Sequence, residues 1–170
     1  MIYLVGVNHG VQFVNKTSDD NVTGAFEEYL RAVCTQHGIQ CIEEEMSIES
    51  LNKWGATRHI CKSIADELSI KHIFCDPDSN ERKSRGIRSE KEIRDELGYS
   101  QILSQSQVEK LDEVLKSDWP LREEFWLEKV LEAKGAPILF VLGSSHVDSF
   151  SDLLTRNGID FVVLERKWEA

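Results

Sequence analysis

A strand pattern that closes in Gly-x-x-His occurs twice, close to the two ends of the chain. The first copy is Ile2-Tyr-Leu-Val-Gly6-Val-Asn-His9 and the second is Pro137-Ile-Leu-Phe-Val-Leu-Gly143-Ser-Ser-His146. Apolar runs this short, bounded by glycine, read as buried strands. Glycine at a strand end lets the backbone turn sharply or come close to another group. The pattern therefore predicts that His9 and His146 meet at one edge of a sheet.

The segments between the two copies alternate strand and helix signals. Val11–Thr23 is polar and reads as a loop, placed after His9 as a lid would be. Thr23 is expected to cap a helix that carries Phe26, Leu30 and Val33 at helical spacing and stops at Gly38. Residues 39–43 read as a second strand that runs into Glu43-Glu44-Glu45. Period-two alternation puts Glu43 and Glu45 on one face and Glu44 on the other; either face could carry a site.

Ser47 opens a short helix to Trp54, and 56–68 is a second helix with Ile60, Ile64 and Leu68 in one stripe. Residues 70–75 form a third strand. Asp76 to Arg88, with Pro77 and Gly86, reads as a basic loop. Ser89-x-x-Glu92 is a capping box that opens a helix closed by Gly98. A helical piece spans 108–115. Asp118-Trp-Pro120 begins a long helix expected to end at Gly135. After the strand 137–142, Ser145 caps a helix ended by Gly158, and 159–164 is the last strand. This order predicts an α/β fold: a mostly parallel central sheet of about five strands flanked by helices, in one compact domain. His9, the Glu43–Glu45 run, Asp76 and His146 then gather at the carboxyl ends of their strands, where open α/β sheets bind ligands.

Composition narrows the function classes. A net charge of −10 argues against nucleic acid and anionic membranes as partners, leaving a small molecule or peptide as the expected substrate. The four cysteines lack a C-x-x-C pair, which points to a thiol-reducing compartment. The apolar start is about six residues long and has no basic flank, so no signal peptide or membrane span is expected and the cytoplasm is the expected location.

The two Gly-x-x-His elements resemble those of the TraB/Tiki superfamily, which is similar in plan to the erythromycin-esterase-like and ChaN-like proteins. Three further features carry the resemblance. An acid follows the second strand (Glu43 to Glu45), Arg122-Glu123-Glu-Phe-Trp126 opens a long helix, and Asp76 precedes a basic stretch through Arg85. The tail Gly143-Ser-Ser-His-Val-Asp-Ser-Phe-Ser-Asp-Leu-Leu154 is also similar. The resemblance implies a shared fold and, in some members, metal-dependent hydrolysis.

The expected site therefore contains His9, His146 and Glu43 as ligands for a divalent ion such as Mn, Co or Zn, which would lower the pKa of a bound water. Glu43, Glu44, Arg122 and His146 are the candidate catalytic groups, with Arg122 facing developing negative charge. Asp76, Arg82 and Arg85 are the candidate ligand-binding groups. A metal-free variant has a histidine as general base and Arg122 as oxyanion partner. Cys75, at a strand end, reads as inert packing rather than a nucleophile. The expected function is a metal-assisted hydrolase with its His/Glu/Arg site at the carboxyl edge of the sheet; the alternative is a non-catalytic ligand-binding or protein-interaction module on the same fold.

Overall fold

The structure is a computed structural model that describes every residue except Gln101, Lys134 and Gly135. The helix end expected at Gly135 lies outside the described residues. Five strands form a parallel sheet: β1 (Ile2–Val7), β3 (Cys41–Glu44), β5 (Lys71–Phe74), β6 (Ile138–Gly143) and β7 (Phe161–Glu165), in the order β5-β3-β6-β1-β7. β1 lies beside β6 in register from Ile2–Ile138 to Val7–Gly143, so the two Gly-x-x-His elements end side by side. β3 pairs with β6 and β5 in the same sense. Strands far apart in the chain, β1 and β6, thus lie side by side inside the sheet, with β7 and β5 at its edges.

Side chains alternate across the strands and bury two apolar layers. On one face Val5, Val7, Ile42, Leu139 and Val141 pack under α1 (Asp20–His37) and α3 (Ile60–Leu68). On the other, Leu4, Cys41, Phe140 and Leu142 pack under α7 (Trp119–Glu132) and α8 (Val147–Arg156). Trp126 of α7 and Phe150 of α8 are fully buried there, with edge-to-face contact at 5.8 Å.

Several local expectations shift. α1 begins at Asp20, capped by Asp19, whose carboxylate accepts the Asn21 and Val22 N–H groups; the Thr23 hydroxyl instead donates to the Asp19 carbonyl. The segment after His9 is not a long loop. It holds a 3₁₀ turn, His9–Val11, and then β2 (Phe13–Val14), which pairs antiparallel with β4 (Arg58–His59). The stretch expected as a basic loop contains α4 (Ser79–Arg85), opened by a capping box of Asp78 and Glu81 and closed by Gly86 in the left-handed region. α2 (Ile48–Lys53), α5 (Glu90–Glu96), α6 (Gln105–Ser117) and a 3₁₀ turn, Ser144–His146, complete the described elements; the turn leads into α8 without the expected Ser145 cap. Ser47 and Ser89 cap α2 and α5 as expected. No helix among the described residues is long and apolar enough to cross a membrane.

Candidate functional site

The carboxyl ends of β1, β3, β5 and β6 open into a cleft of about 430 Å³ whose lining includes His9, Glu45, Asp76, Arg82, Arg122 and His146. At its floor lies Glu45, one residue past β3 and 3 % exposed. Its Oε1 is 3.5 Å from His9 Nε2 and 3.8 Å from His146 Nε2, and it accepts a 2.9 Å hydrogen bond from Arg122 Nη2. Its Oε2 accepts the Gly143 N–H at 2.7 Å. The two histidines from opposite ends of the chain thus face one carboxylate oxygen.

The glycine of the second motif has a steric reason. A Cβ built on Gly143 would stand 2.8 Å from His9 Nε2 and 3.2 Å from Glu45 Oε2, so only glycine lets the imidazole close over β6. Gly6 serves packing instead: a Cβ there would collide with the Arg166 carbonyl and the Val147 side chain.

Each imidazole is fixed through its other nitrogen. His146 Nδ1 lies 2.8 Å from Glu123 Oε1, and the Ser149 hydroxyl donates to the same oxygen. The His146 ring packs against Trp119 and, edge to face, Trp126. His9 Nδ1 lies 2.7 Å from Gln12 Oε1. Arg122, in the first turn of α7 where the helix dipole disfavours a cation, is held by two carboxylates. Its Nε and Nη2 donate to Asp76 Oδ1 at 3.0 and 2.6 Å, besides the bond to Glu45. Asp76 also accepts from Arg82 (2.6 Å) and from the Trp126 indole (3.4 Å).

These contacts set the charges. For Glu45, burial works against ionisation, but Arg122 and the two histidines outweigh it and hold the carboxyl well below the usual range. For His9, burial would lower the pKa, yet the charge and hydrogen bond of Glu45 push it up to about 9. His9 is therefore an imidazolium at neutral pH.

The structure brings His9, His146, Asp76, Arg82 and Arg122 together and leaves three expected residues elsewhere. Glu43 shares a sheet face with Glu45 but sits two residues back along β3, wholly buried, against the thiols of Cys75 (3.5 Å) and Cys41 (3.9 Å), and forms no ion pair with His9 or His146. Glu44 points through the opposite face, where its oxygens accept from Gln12 (2.9 Å) and pair with His72 Nε2 (2.7 Å). Arg85 leaves the cleft altogether. It forms a two-pronged pair with Glu128 and lies over the Phe125 ring. Cys75 is fully buried, and burial pushes its thiol well above the ordinary value, so it is a poor nucleophile.

Sequence reasoning named Glu43 and Glu44 rather than Glu45 as the acids of the site, and passed over Glu123 and Gln12. Glu123 stands next to Arg122, and Gln12 is three residues beyond His9, the spacing at which side chains eclipse in a 3₁₀ turn. Both signals were local.

The donor set fits a resident divalent ion poorly. Each imidazole presents Nε2 with its Nδ1 held by an acceptor, as ligating histidines do. However, the oxygen that both rings face already accepts from a permanently charged guanidinium, and an ion there would sit beside that cation. Among the described residues no group of three or more His, Cys, Asp or Glu side chains is arranged to hold a metal ion. Comparisons with protein-family models, with curated proteins and with solved structures returned no match.

Proposed function

We propose that the chain is a hydrolase that works by acid–base and electrostatic catalysis on an ester or a related acyl or phosphoryl bond, with its site at the carboxyl edge of the sheet. The observation that carries this reading is the approach of His9 Nε2 and His146 Nε2 to a single buried oxygen of Glu45, itself paired with Arg122, at the floor of an open cleft. A fold that needs only a stable core has no use for two imidazoles and a guanidinium converging on one carboxylate, because burying such groups costs free energy.

The roles follow from the contacts. Glu123 holds His146 by Nδ1, which fixes the tautomer with the Nε2 lone pair directed into the cleft. His146 Nε2 lies 3.8 Å from Glu45 Oε1, an acceptor that cannot engage a lone pair, and the lone pair can take a proton from an attacking water. His9, already an imidazolium, donates to the leaving group as its bond breaks. Arg122 supplies fixed positive charge where the substrate oxygen becomes negative, a contribution of order a hundredfold or more in rate. Asp76 keeps that guanidinium aimed. The resemblance to the TraB/Tiki and erythromycin-esterase-like proteins supports the same placement of two histidines, an acid and an arginine.

The test is a panel of chromogenic esters and phosphates together with metal analysis of the purified protein. Turnover without bound metal, lost in His146→Ala, is the expected result. Stoichiometric metal on which turnover depends would replace the metal-free form with the metal-assisted one. Absence of turnover across the panel, with ligand binding unchanged in His146→Ala, would leave the binding-module alternative.

A further inference from the structure

We infer that Gln12 is a positioning residue for His9, and that its own orientation is dictated from the far face of the sheet by Glu44 and His72. The inference rests on the proposed role of His9 but stands on separate contacts.

His9 opens a 3₁₀ turn, and its side chain is about one-third exposed. Nothing in such a turn decides which ring nitrogen faces Glu45. Gln12 does. It eclipses His9 at i+3, and its backbone N–H donates to the His9 carbonyl at 3.1 Å. Gln12 is 1 % exposed as a residue, and its side-chain amide makes two hydrogen bonds: Oε1 accepts from His9 Nδ1 at 2.7 Å and Nε2 donates to Glu44 Oε2 at 2.9 Å. A carboxylate only accepts, so Glu44 takes the amide N–H and leaves the amide oxygen for His9. Nδ1 must then donate a proton to that oxygen, and Nε2 is the atom turned toward Glu45 and the cleft.

Glu44 is fixed in turn. Its Oε1 lies 2.7 Å from Nε2 of His72, whose side chain is 7 % exposed on β5, the edge strand. A buried chain of hydrogen bonds therefore runs His72–Glu44–Gln12–His9 from the sheet edge to the cleft. Its direction is set at Glu44, whose carboxylate accepts from His72 on one side and from the Gln12 amide on the other, so that the Gln12 oxygen is the end left to accept from His9. The backbone keeps Gln12 in place from both sides, since Ile60 N–H donates to the Gln12 carbonyl at 2.9 Å. The Glu44 side chain makes no hydrogen bond to His9, and the Gln12 amide is the side-chain link between them.

The experiment reads the His9 Nδ1–H proton by ¹H–¹⁵N NMR on the whole chain, in wild type, Gln12→Leu, Glu44→Gln and the double variant Gln12→Glu/Glu44→Gln. The double variant swaps the acceptor and donor ends of the inner bond while leaving an acceptor for both histidines. The wild type should show a downfield, slowly exchanging Nδ1–H at His9. Gln12→Leu should lose it. Glu44→Gln, whose amide can either donate or accept, should speed its exchange at least tenfold by letting Gln12 flip. The double variant should recover the wild-type signal. Backbone amide dispersion of β1 and β6 reports whether each variant is folded. If a folded Gln12→Leu keeps the signal, if Glu44→Gln leaves the exchange rate unchanged, or if the folded double variant fails to recover it, the inference is overturned. On a substrate found by the panel above, Gln12→Leu should lower kcat about tenfold with KM within about twofold, and the double variant should restore it. The NMR arm needs no turnover, so an inactive protein with the expected NMR pattern refutes the hydrolase reading alone, and an active one without it refutes only the role of Gln12.

Discussion

Replacing Glu43 by Gln should stabilise the protein, and by an amount that depends on pH. Glu43 is wholly buried under α7, and the hydrogen bonds it makes are to the Cys75 and Cys41 thiols, which are weak donors. Burial pushes its pKa from an ordinary 4.5 up to about 7. Below about pH 4.5 the carboxyl is neutral in both native and unfolded chains and exerts no pH-linked effect. As pH rises from about 4.5 through about 7 the unfolded chain ionises first, so the native state loses ground and the loss is complete above about 7. The full difference corresponds to about 3 kcal/mol. Glutamine has the same shape and no charge to lose. Urea unfolding of Glu43→Gln and wild type at pH 5 and pH 8.5 should therefore give a stability gap that widens by about 2–3 kcal/mol in favour of the variant. In thermal melts that is about 5–10 °C for a chain of this size. A gap that stays constant between the two pH values would refute the reasoning, whatever its size.

Other consequences are equally specific. Glu45→Ala should destabilise the fold by about 3 kcal/mol in denaturant titrations, because it leaves the Arg122 guanidinium buried with one of its two carboxylate partners gone. The His9 ring should titrate near pH 9 by NMR in chelator-treated protein and fall below about 6.5 in Glu45→Gln, where burial is no longer outweighed by a carboxylate; since its folded value lies above the unfolded 6.5, the stability it contributes is complete below about pH 6.5 and lost as pH rises through about 9. Gly143→Ala should reduce turnover far more than stability, since the added Cβ must push His9 off Glu45 while the backbone angles at this position suit any residue; wild-type kcat in a folded Gly143→Ala would show that the close approach is unimportant. Arg122→Lys keeps the charge but cannot span Asp76 and Glu45 as the guanidinium does, and should cost on the order of a hundredfold in kcat.

The order of the five strands of the main sheet, their parallel pairing and the gathering of His9, Asp76 and His146 at one edge were legible in the chain, whereas the small β2–β4 pair was not. They follow from periodicity, capping residues and the rule that parallel strands share an active edge. The helix α4 was not read, although Asp78 and Glu81 form its capping box, because Pro77, Gly86 and the dense charge also describe a loop. Arg82 and Arg85 looked equivalent for the same reason. Once the segment is helical, the turn directs Arg82 to Asp76 and Arg85 to Glu128.

The acidic triplet shows where local rules stop. Alternation along β3 paired Glu43 with Glu45 and opposed them to Glu44, and the sequence determined that much by itself. Which face borders α7, and how deep each carboxylate lies, depended on the packing of helices drawn from distant parts of the chain. Glu43 ended among thiols, Glu44 joined Gln12 and His72 beneath the opposite face, and Glu45 alone cleared the strand end to meet two histidines and an arginine. A period of two fixes the direction of a side chain, while the charge it must carry is decided by the neighbours that tertiary packing brings within a few ångströms.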